Sequence, residues 1–200
     1  MASLCQKRVQ REVKEIVNSK DLNEHGVLIE VLDNNLQNLK GYLRGPPSSP
    51  YEGAKFQLSI NIPDAYPFKP PTVKFTTRVW HPNVSSATGA ICLDILKENW
   101  AASMTLRTVL LSIQALLTLP EPKDPQDAVV AAQYMKKPDL FKKTATFWSQ
   151  HFGGSTSSLP DKTFLDKIQK MKEMGLDEDF VISSLSCSDW DLDKTISTVF

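Results

Sequence analysis

Residues 80–100 read WHPNVSSATGAICLDILKENW, and this stretch decides how the rest of the chain is read. It sets Cys92 in an apolar frame, Ile91-Cys92-Leu93, directly after the turn signal Thr88-Gly89-Ala90. His81-Pro82-Asn83 lies nine residues upstream of the cysteine. A cysteine in an apolar frame is, taken alone, a small buried hydrophobe. A cysteine with a histidine at hand is also a candidate nucleophile. No basic group stands close to Cys92 in a recognisable pairing pattern, so its thiol reads as a slow nucleophile.

Upstream, residues 3–18 place Leu4, Val9, Val13, Ile16 and Val17 near helical spacing, with Lys7, Arg8, Arg11 and Lys14 interleaved. Four strands follow. Val27, Ile29 and Val31 alternate along the first, and Leu36, Leu39 and Leu43 mark the second. Phe56, Leu58, Ile60 and Ile62 against Gln57, Ser59 and Asn61 give a period of two, one face buried and one wet. Residues 72–77 repeat it with Val73 and Phe75 inward. Gly45-Pro46-Pro47 and Pro50-Tyr51-Glu52-Gly53 supply turns, and the short connections predict an antiparallel meander. Tyr66-Pro67-Phe68-Lys69-Pro70-Pro71 is too rich in proline for a helix or a central strand and reads as a rigid loop.

Downstream, residues 104–118 form an apolar helix that belongs under the sheet, carrying Leu106, Val109, Leu110, Ile113, Ala115, Leu116 and Leu117. Three prolines between 120 and 125 exclude regular structure there. Helices are expected at 126–135 and 138–151, the second opening on Pro138-Asp139. The run GGSTSS at 153–158 has the composition of a flexible linker. It divides the chain into a domain at 1–152, a linker at 153–160 and a small three-helix domain at 161–200. In the small domain Phe164, Leu165, Ile168 and Met171 mark one helix, and Val181, Ile182 and Leu185 a second. A third begins near Ser188 or Asp189 and carries Leu192, Ile196 and Val199. Gly175 suits a helix C-cap of positive φ.

The 200 residues are 41% hydrophobic and 23% charged with zero net charge, which gives no pull toward nucleic acid or a membrane. The zero hides a split: 18 Lys+Arg against 14 Asp+Glu up to residue 152, and 5 against 9 beyond it. Cys5, Cys92 and Cys187 are odd in number and scattered, neither a disulfide framework nor a metal-binding spacing. The start, MASLCQKRVQ, has charges where a signal peptide needs its apolar core, and no apolar stretch is long enough to span a bilayer. A cytoplasmic protein is expected, with the nucleus as a second compartment.

The run HPNVSSATGAICLDIL resembles the signature of ubiquitin-conjugating enzymes, an HPN followed by a Gly-x-Ile-Cys-Leu core, and YPFKPP is a second hallmark of that family. The resemblance extends over nearly the whole chain and is strongest to members with a C-terminal ubiquitin-associated domain. It implies an α+β fold: an N-terminal helix, a four-stranded antiparallel meander and C-terminal helices, followed by a UBA-like three-helix domain. The implied activity moves ubiquitin from the activating enzyme onto Cys92 as a thioester and then to a lysine, building polyubiquitin chains for proteasomal degradation. Asn83 matches the asparagine assigned to the oxyanion or to holding the active-site loop. Asp124 matches the acidic residue that orients the lysine. Asp127 is the second candidate, or a helix cap, and His81 is structural in the family, with a Cys–His dyad as the lesser alternative. Trp80 and Trp100 read as packing residues, and Asp94 and Lys97 as solvent-facing charges near the cleft.

Lys7, Arg8 and Arg11 match activating-enzyme and ligase contacts, although a solvated basic face explains them equally. Phe68 and Ser103 match the ligase-binding surface, with Ala101-Ala102-Ser103 where Ser-Pro-Ala is common. In the small domain Met174, Gly175, Leu176 and Val199 match a ubiquitin-binding surface, with Leu176 where phenylalanine is usual; Met174 and Leu176 equally fit a core. The implied partners are ubiquitin, the activating enzyme, ligases of the RING type and protein substrates. No metal or organic cofactor is implied, ATP being consumed by the upstream activating enzyme. A catalytically silent ubiquitin-binding adaptor and a carrier of another ubiquitin-like modifier are the alternatives.

Overall fold

Period-two patterning between residues 27 and 75 produces the sheet. In the computed structural model, which describes residues 4–200, β1 (Val27–Leu32), β2 (Asn35–Arg44), β3 (Lys55–Asn61) and β4 (Thr72–Phe75) pair antiparallel in the order 1-2-3-4. Leu39 faces Ile60 and Ile60 faces Val73, so inward residues stack across the strands. β4 stops two residues short of the expected end. The amides of Thr76 and Thr77 turn to the Gln57 carbonyl, and Thr77 Oγ1 takes the Gln57 amide, which ends the ladder.

Helix α1 (Leu4–Asn18) precedes the sheet, and residue 3 of the expected helix lies outside the described residues. Its buried positions are Val9, Glu12 and Ile16, whereas Leu4 and Val17 are exposed, against expectation. The buried line follows the 3/4 spacing of a single stripe, too narrow to take in all five apolar residues. A short helix α2 (Lys20–Glu24) is capped by Ser19. Helix α3 (Leu106–Leu116) lies against the sheet with Leu106, Val109, Leu110, Ile113 and Leu116 buried, and Thr105 caps it. Gly41 of β2 permits the close approach, since a Cβ there would sit 3.1 Å from Leu110 Cδ2 and 3.2 Å from Ile60 Cδ1.

Helices α4 (Ala128–Lys136) and α5 (Pro138–His151) follow α3, and α6 (Lys162–Glu173), α7 (Glu178–Cys187) and α8 (Leu192–Val199) form the C-terminal group. Asp161, Asp177 and Asp191 cap the last three helices through bonds to the amides of Thr163, Phe180 and Lys194. Helix α8 starts later than expected because Asp189 and Trp190 lie in the left-handed region, at φ 54° and 60°. That turn swings the Trp190 ring inward. It stacks flat on Phe164 at 3.5 Å, meets Phe147 of α5 edge-on at 5.4 Å, and donates from Nε1 to Thr144 Oγ1 at 3.0 Å.

The three C-terminal helices therefore dock on α5. Trp148 Nε1 donates to Ser186 Oγ at 2.9 Å. The Arg78 guanidinium sits over both Trp148 (4.8 Å) and Phe152 (4.7 Å) and donates to Ser183 Oγ at 2.6 Å. Within residues 153–160, whose composition reads as a flexible linker, Gly153 and Ser155 are bonded to the segments before them. Gly153 accepts from the Lys55 amide at 2.9 Å, and Ser155 donates from its amide to Ser149 and from Oγ to the Glu52 carbonyl. Small polar residues fit that role because their backbone reaches the sheet edge without side-chain obstruction.

Candidate active site

Cys92 is placed by the turn before it. Lys74 of β4 bridges to Ala90, Val84 bridges to Ile91, and the Phe75 amide donates to the Gly89 carbonyl at 2.9 Å. Gly89 has φ 71°, and a Cβ there would meet the Phe75 carbonyl oxygen at 1.9 Å, so only glycine fits. The Cys92 amide then donates to the Asn83 carbonyl at 2.9 Å, tying the cysteine to the HPN segment. The thiol is half-buried and lines an open cleft of about 740 Å³ with Asn83, Leu93, Lys97, Leu119 and Asp124.

Two charged groups face the sulfur. A 3₁₀ turn at Asp94–Leu96 bends the chain back, so that Lys97 Nζ lies 3.3 Å from Cys92 Sγ. Asp124 Oδ2 approaches at 3.7 Å. The Cys92 sulfur, followed by the charges of Asp124 and Glu98, holds the Lys97 ammonium above the usual lysine range. By spacing alone the thiol has no basic neighbour and Lys97 is a solvent-facing charge near the cleft. Lys97 is exposed, but its ammonium is on the sulfur; the cause is the local turn, which spacing alone does not reveal.

The HPN residues act as a clasp. His81 is sealed in the interior, donating from Nε2 to the Leu116 carbonyl at 2.9 Å and accepting the Asn83 amide at Nδ1 at 3.0 Å. Burial pushes its pKa down to about 4 despite the Leu116 bond, so the ring is neutral. Both ring nitrogens are occupied away from Cys92, which corrects the Cys–His alternative. Asn83 is also buried. Its Nδ2 donates to the carbonyls of Glu121 (2.9 Å) and Asp124 (3.0 Å), and its Oδ1 accepts the Glu121 amide (2.8 Å). Both amide hydrogens are thus spent on the loop that carries Asp124, the loop-holding half of the sequence expectation.

Asp127 turns out to be a cap. Oδ1 accepts the Val130 amide at 3.2 Å, and Oδ2 accepts from the Ser86 amide and hydroxyl at 3.1 and 2.6 Å. That corrects its secondary catalytic reading in favour of the structural one. Trp80 is fully buried, with its ring 4.9 Å from Trp148 and Nε1 donating to Gln133 Oε1 at 2.9 Å. Gln133 in turn donates to the Ser186 carbonyl and Asp189 Oδ1, joining the HPN segment to the docked helices.

Among the expected partner contacts, Lys7, Arg11, Phe68 and Ser103 are exposed, Phe68 at 82%. Arg8 is turned inward instead, its Nε 2.7 Å from Glu12 Oε1 and its Nη2 2.8 Å from the Met104 carbonyl, so it is not a free basic contact. Among the C-terminal helices Met174 is exposed, while Leu176 and Val199 are half-buried against the core. Gly175 has φ 89° with open space beside it. Three consequential residues went unremarked in the sequence: Glu12, Gln133 and Trp190. Glu12 had a signal, a carboxylate at the 3/4 spacing between Val9 and Ile16.

Comparison with known proteins agrees with this geometry. The family model described as ubiquitin-conjugating enzyme matches residues 8–149. Human ubiquitin-conjugating enzyme E2 K is 50% identical over 193 residues, 96% of both chains. The Drosophila melanogaster ubiquitin-conjugating enzyme E2-22 kDa is 50% identical over 200 residues and the full length of both. The E2 domain of a Toxoplasma gondii ubiquitin conjugating enzyme superposes with a TM-score of 0.68 at 45% identity, covering 74% of this chain and 99% of that one.

Proposed function

The chain belongs to the ubiquitin-conjugating enzymes, a family that works with ubiquitin, an activating enzyme and ligases, and on that premise we propose that Cys92 is the residue that carries ubiquitin. The observation behind this reading is the half-buried sulfur in an open cleft between Lys97 and Asp124. In the charging step the Cys92 thiolate attacks the thioester carbonyl carbon of ubiquitin on the activating enzyme. A new C–S bond forms, and the activating enzyme's thiolate leaves. In the second step a lysine amine attacks the Cys92 thioester, an isopeptide bond forms, and the Cys92 thiolate is expelled.

Sulfur suits both steps because a thioester stays reactive toward amines. The Lys97 ammonium, 3.3 Å from the sulfur, is placed to attract the negative charge that the sulfur carries when it attacks and when it leaves. Asp124, on the other side of the sulfur, orients the incoming ammonium and takes its proton. Asn83 serves by holding the Asp124 loop, and a direct oxyanion contact would require it to give up one of the two bonds it donates to that loop.

Around this centre the reading extends to RING-type ligases at Phe68 and Ser103, to polyubiquitin chains built on protein substrates for proteasomal degradation, and to action in the cytoplasm or nucleus without a cofactor of its own. The smaller domain is read as UBA-like, with Met174, Gly175 and Leu176 offering a weak ubiquitin-binding edge. The decisive experiment mixes the protein with activating enzyme, ATP and either ubiquitin or another modifier, followed by a non-reducing gel. A thiol-sensitive ubiquitin adduct is expected, and Cys92→Ser converts it to a thiol-resistant ester. No adduct would point to the silent adaptor, and an adduct with another modifier alone to a different carrier.

A further inference from the structure

Glu12 is a buried carboxylate to which the chemistry at Cys92 assigns nothing. It is 2% exposed, yet three donors from three separate segments converge on it. Oε1 accepts from Arg8 Nε of α1 at 2.7 Å. Oε2 accepts from the Tyr66 hydroxyl of the proline loop at 2.7 Å and from the Leu106 amide at the start of α3 at 2.9 Å. Arg8 adds a bond to the Met104 carbonyl at 2.8 Å and lies 5.5 Å from the Tyr66 ring. Burial and the Glu12 carboxylate raise the Tyr66 hydroxyl far above the ordinary tyrosine range, so it donates.

A charge here is costly unless fully partnered. The partners are good ones: a guanidinium, a phenol and a helix N-terminal amide that has no acceptor within its own helix. An apolar residue would hold α1 to the sheet as well, since buried ion pairs add little stability over packed hydrophobes. What an apolar residue would not do is fix direction, because only a carboxylate collects donors from three chain segments at set angles. Those segments are the ones that present Lys7 and Arg11, Phe68, and Ser103 to solvent. Trp100 braces the same loop, donating from Nε1 to the Pro67 carbonyl at 2.7 Å.

We propose that Glu12 is a positioning residue for partner docking, holding α1, the Phe68 loop and the Ser103 loop in one fixed arrangement. The proposal rests on the reading of these segments as the surface met by the activating enzyme and ligase. It also gives Arg8 its role, as the counter-charge inside the arrangement rather than a contact outside it. Loss of the carboxylate loosens the three segments relative to one another while leaving the bonds of Asn83 to the Asp124 loop and of Lys97 to the Cys92 sulfur, none of which involves Glu12, in place.

The test compares wild type with Glu12→Gln and Tyr66→Phe. It measures KM for the activating enzyme in charging, ligase-stimulated discharge, and discharge of the preloaded protein to free lysine without a ligase. Glu12→Gln should raise KM about tenfold and weaken ligase stimulation similarly, the scale of one charged hydrogen bond. Discharge to free lysine should stay within about twofold. Tyr66→Phe, which leaves Arg8 and Leu106 on the carboxylate, should move KM the same way by about threefold, and decides the matter alone if Glu12→Gln does not fold. Unchanged KM in a folded variant overturns the proposal, as does an equal loss in free-lysine discharge, which marks a merely structural role. Wild-type protein that accepts no ubiquitin would overturn the parent reading together with this one.

Discussion

Around Cys92 the buried groups are polar and bonded to one another; where α7 and the Trp190 turn meet α5, they are rings. His81, Asn83 and the 121–124 loop close a circuit in which each side-chain nitrogen and oxygen of His81 and Asn83 has a partner, and the cysteine is left open to the cleft. At the docked helices Phe147, Trp148, Phe152, Phe164 and Trp190 supply area and shape, and polar atoms appear at their edges, as in Trp190 Nε1 on Thr144. Directional bonds suit a region where one atom must stay within reach of two others. Ring packing suits a region that has only to stay attached.

This contrast predicts a double dissociation. Trp190→Ala removes an enclosed ring from the packing between α5 and α6 and should cost about 3–5 kcal/mol of stability, read by chemical denaturation. Discharge of ubiquitin to free lysine by the folded fraction should stay close to wild type. A large loss of chemistry there would show that the two regions are not separately held.

Asn83→Ala gives the converse. It releases the loop carrying Asp124 and should lower lysine discharge by about 10² to 10³, measured by single-turnover discharge from the preloaded protein. Near-normal discharge would remove the clasp from the mechanism.

Acid separates the regions more gently. His81 has a folded pKa of about 4 against an ordinary 6.5, so the unfolded chain binds its proton first. Its contribution is whole above pH 6.5 and fades as pH falls toward 4, about 3 kcal/mol in all. Asp189, at the docked interface, behaves otherwise. Burial opposes its ionisation, yet the bonds from Gln133 and Lys137 hold it below its ordinary 3.8, so its contribution is lost only in stronger acid. Denaturation midpoints measured from pH 7 to 4 should therefore fall mainly through His81, and His81→Gln should flatten that slope.

The sheet, the order of the helices and the cysteine with its HPN partner were legible in the sequence because each is local. Alternation along Phe56 to Ile62 fixes a strand, and Gly89 fixes a turn. What only the tertiary structure decided depends on segments far apart in the chain. Lys97 reaches the sulfur through a turn, Glu12 gathers donors up to 94 residues away, and Trp190 leaves its helix to pack on α5. A periodic pattern shows which face of an element is apolar, but not which buried polar group will find partners when that face closes. Hydrogen bonds and charge pairs depend on distances of a few tenths of an ångström between residues that only the finished fold brings together.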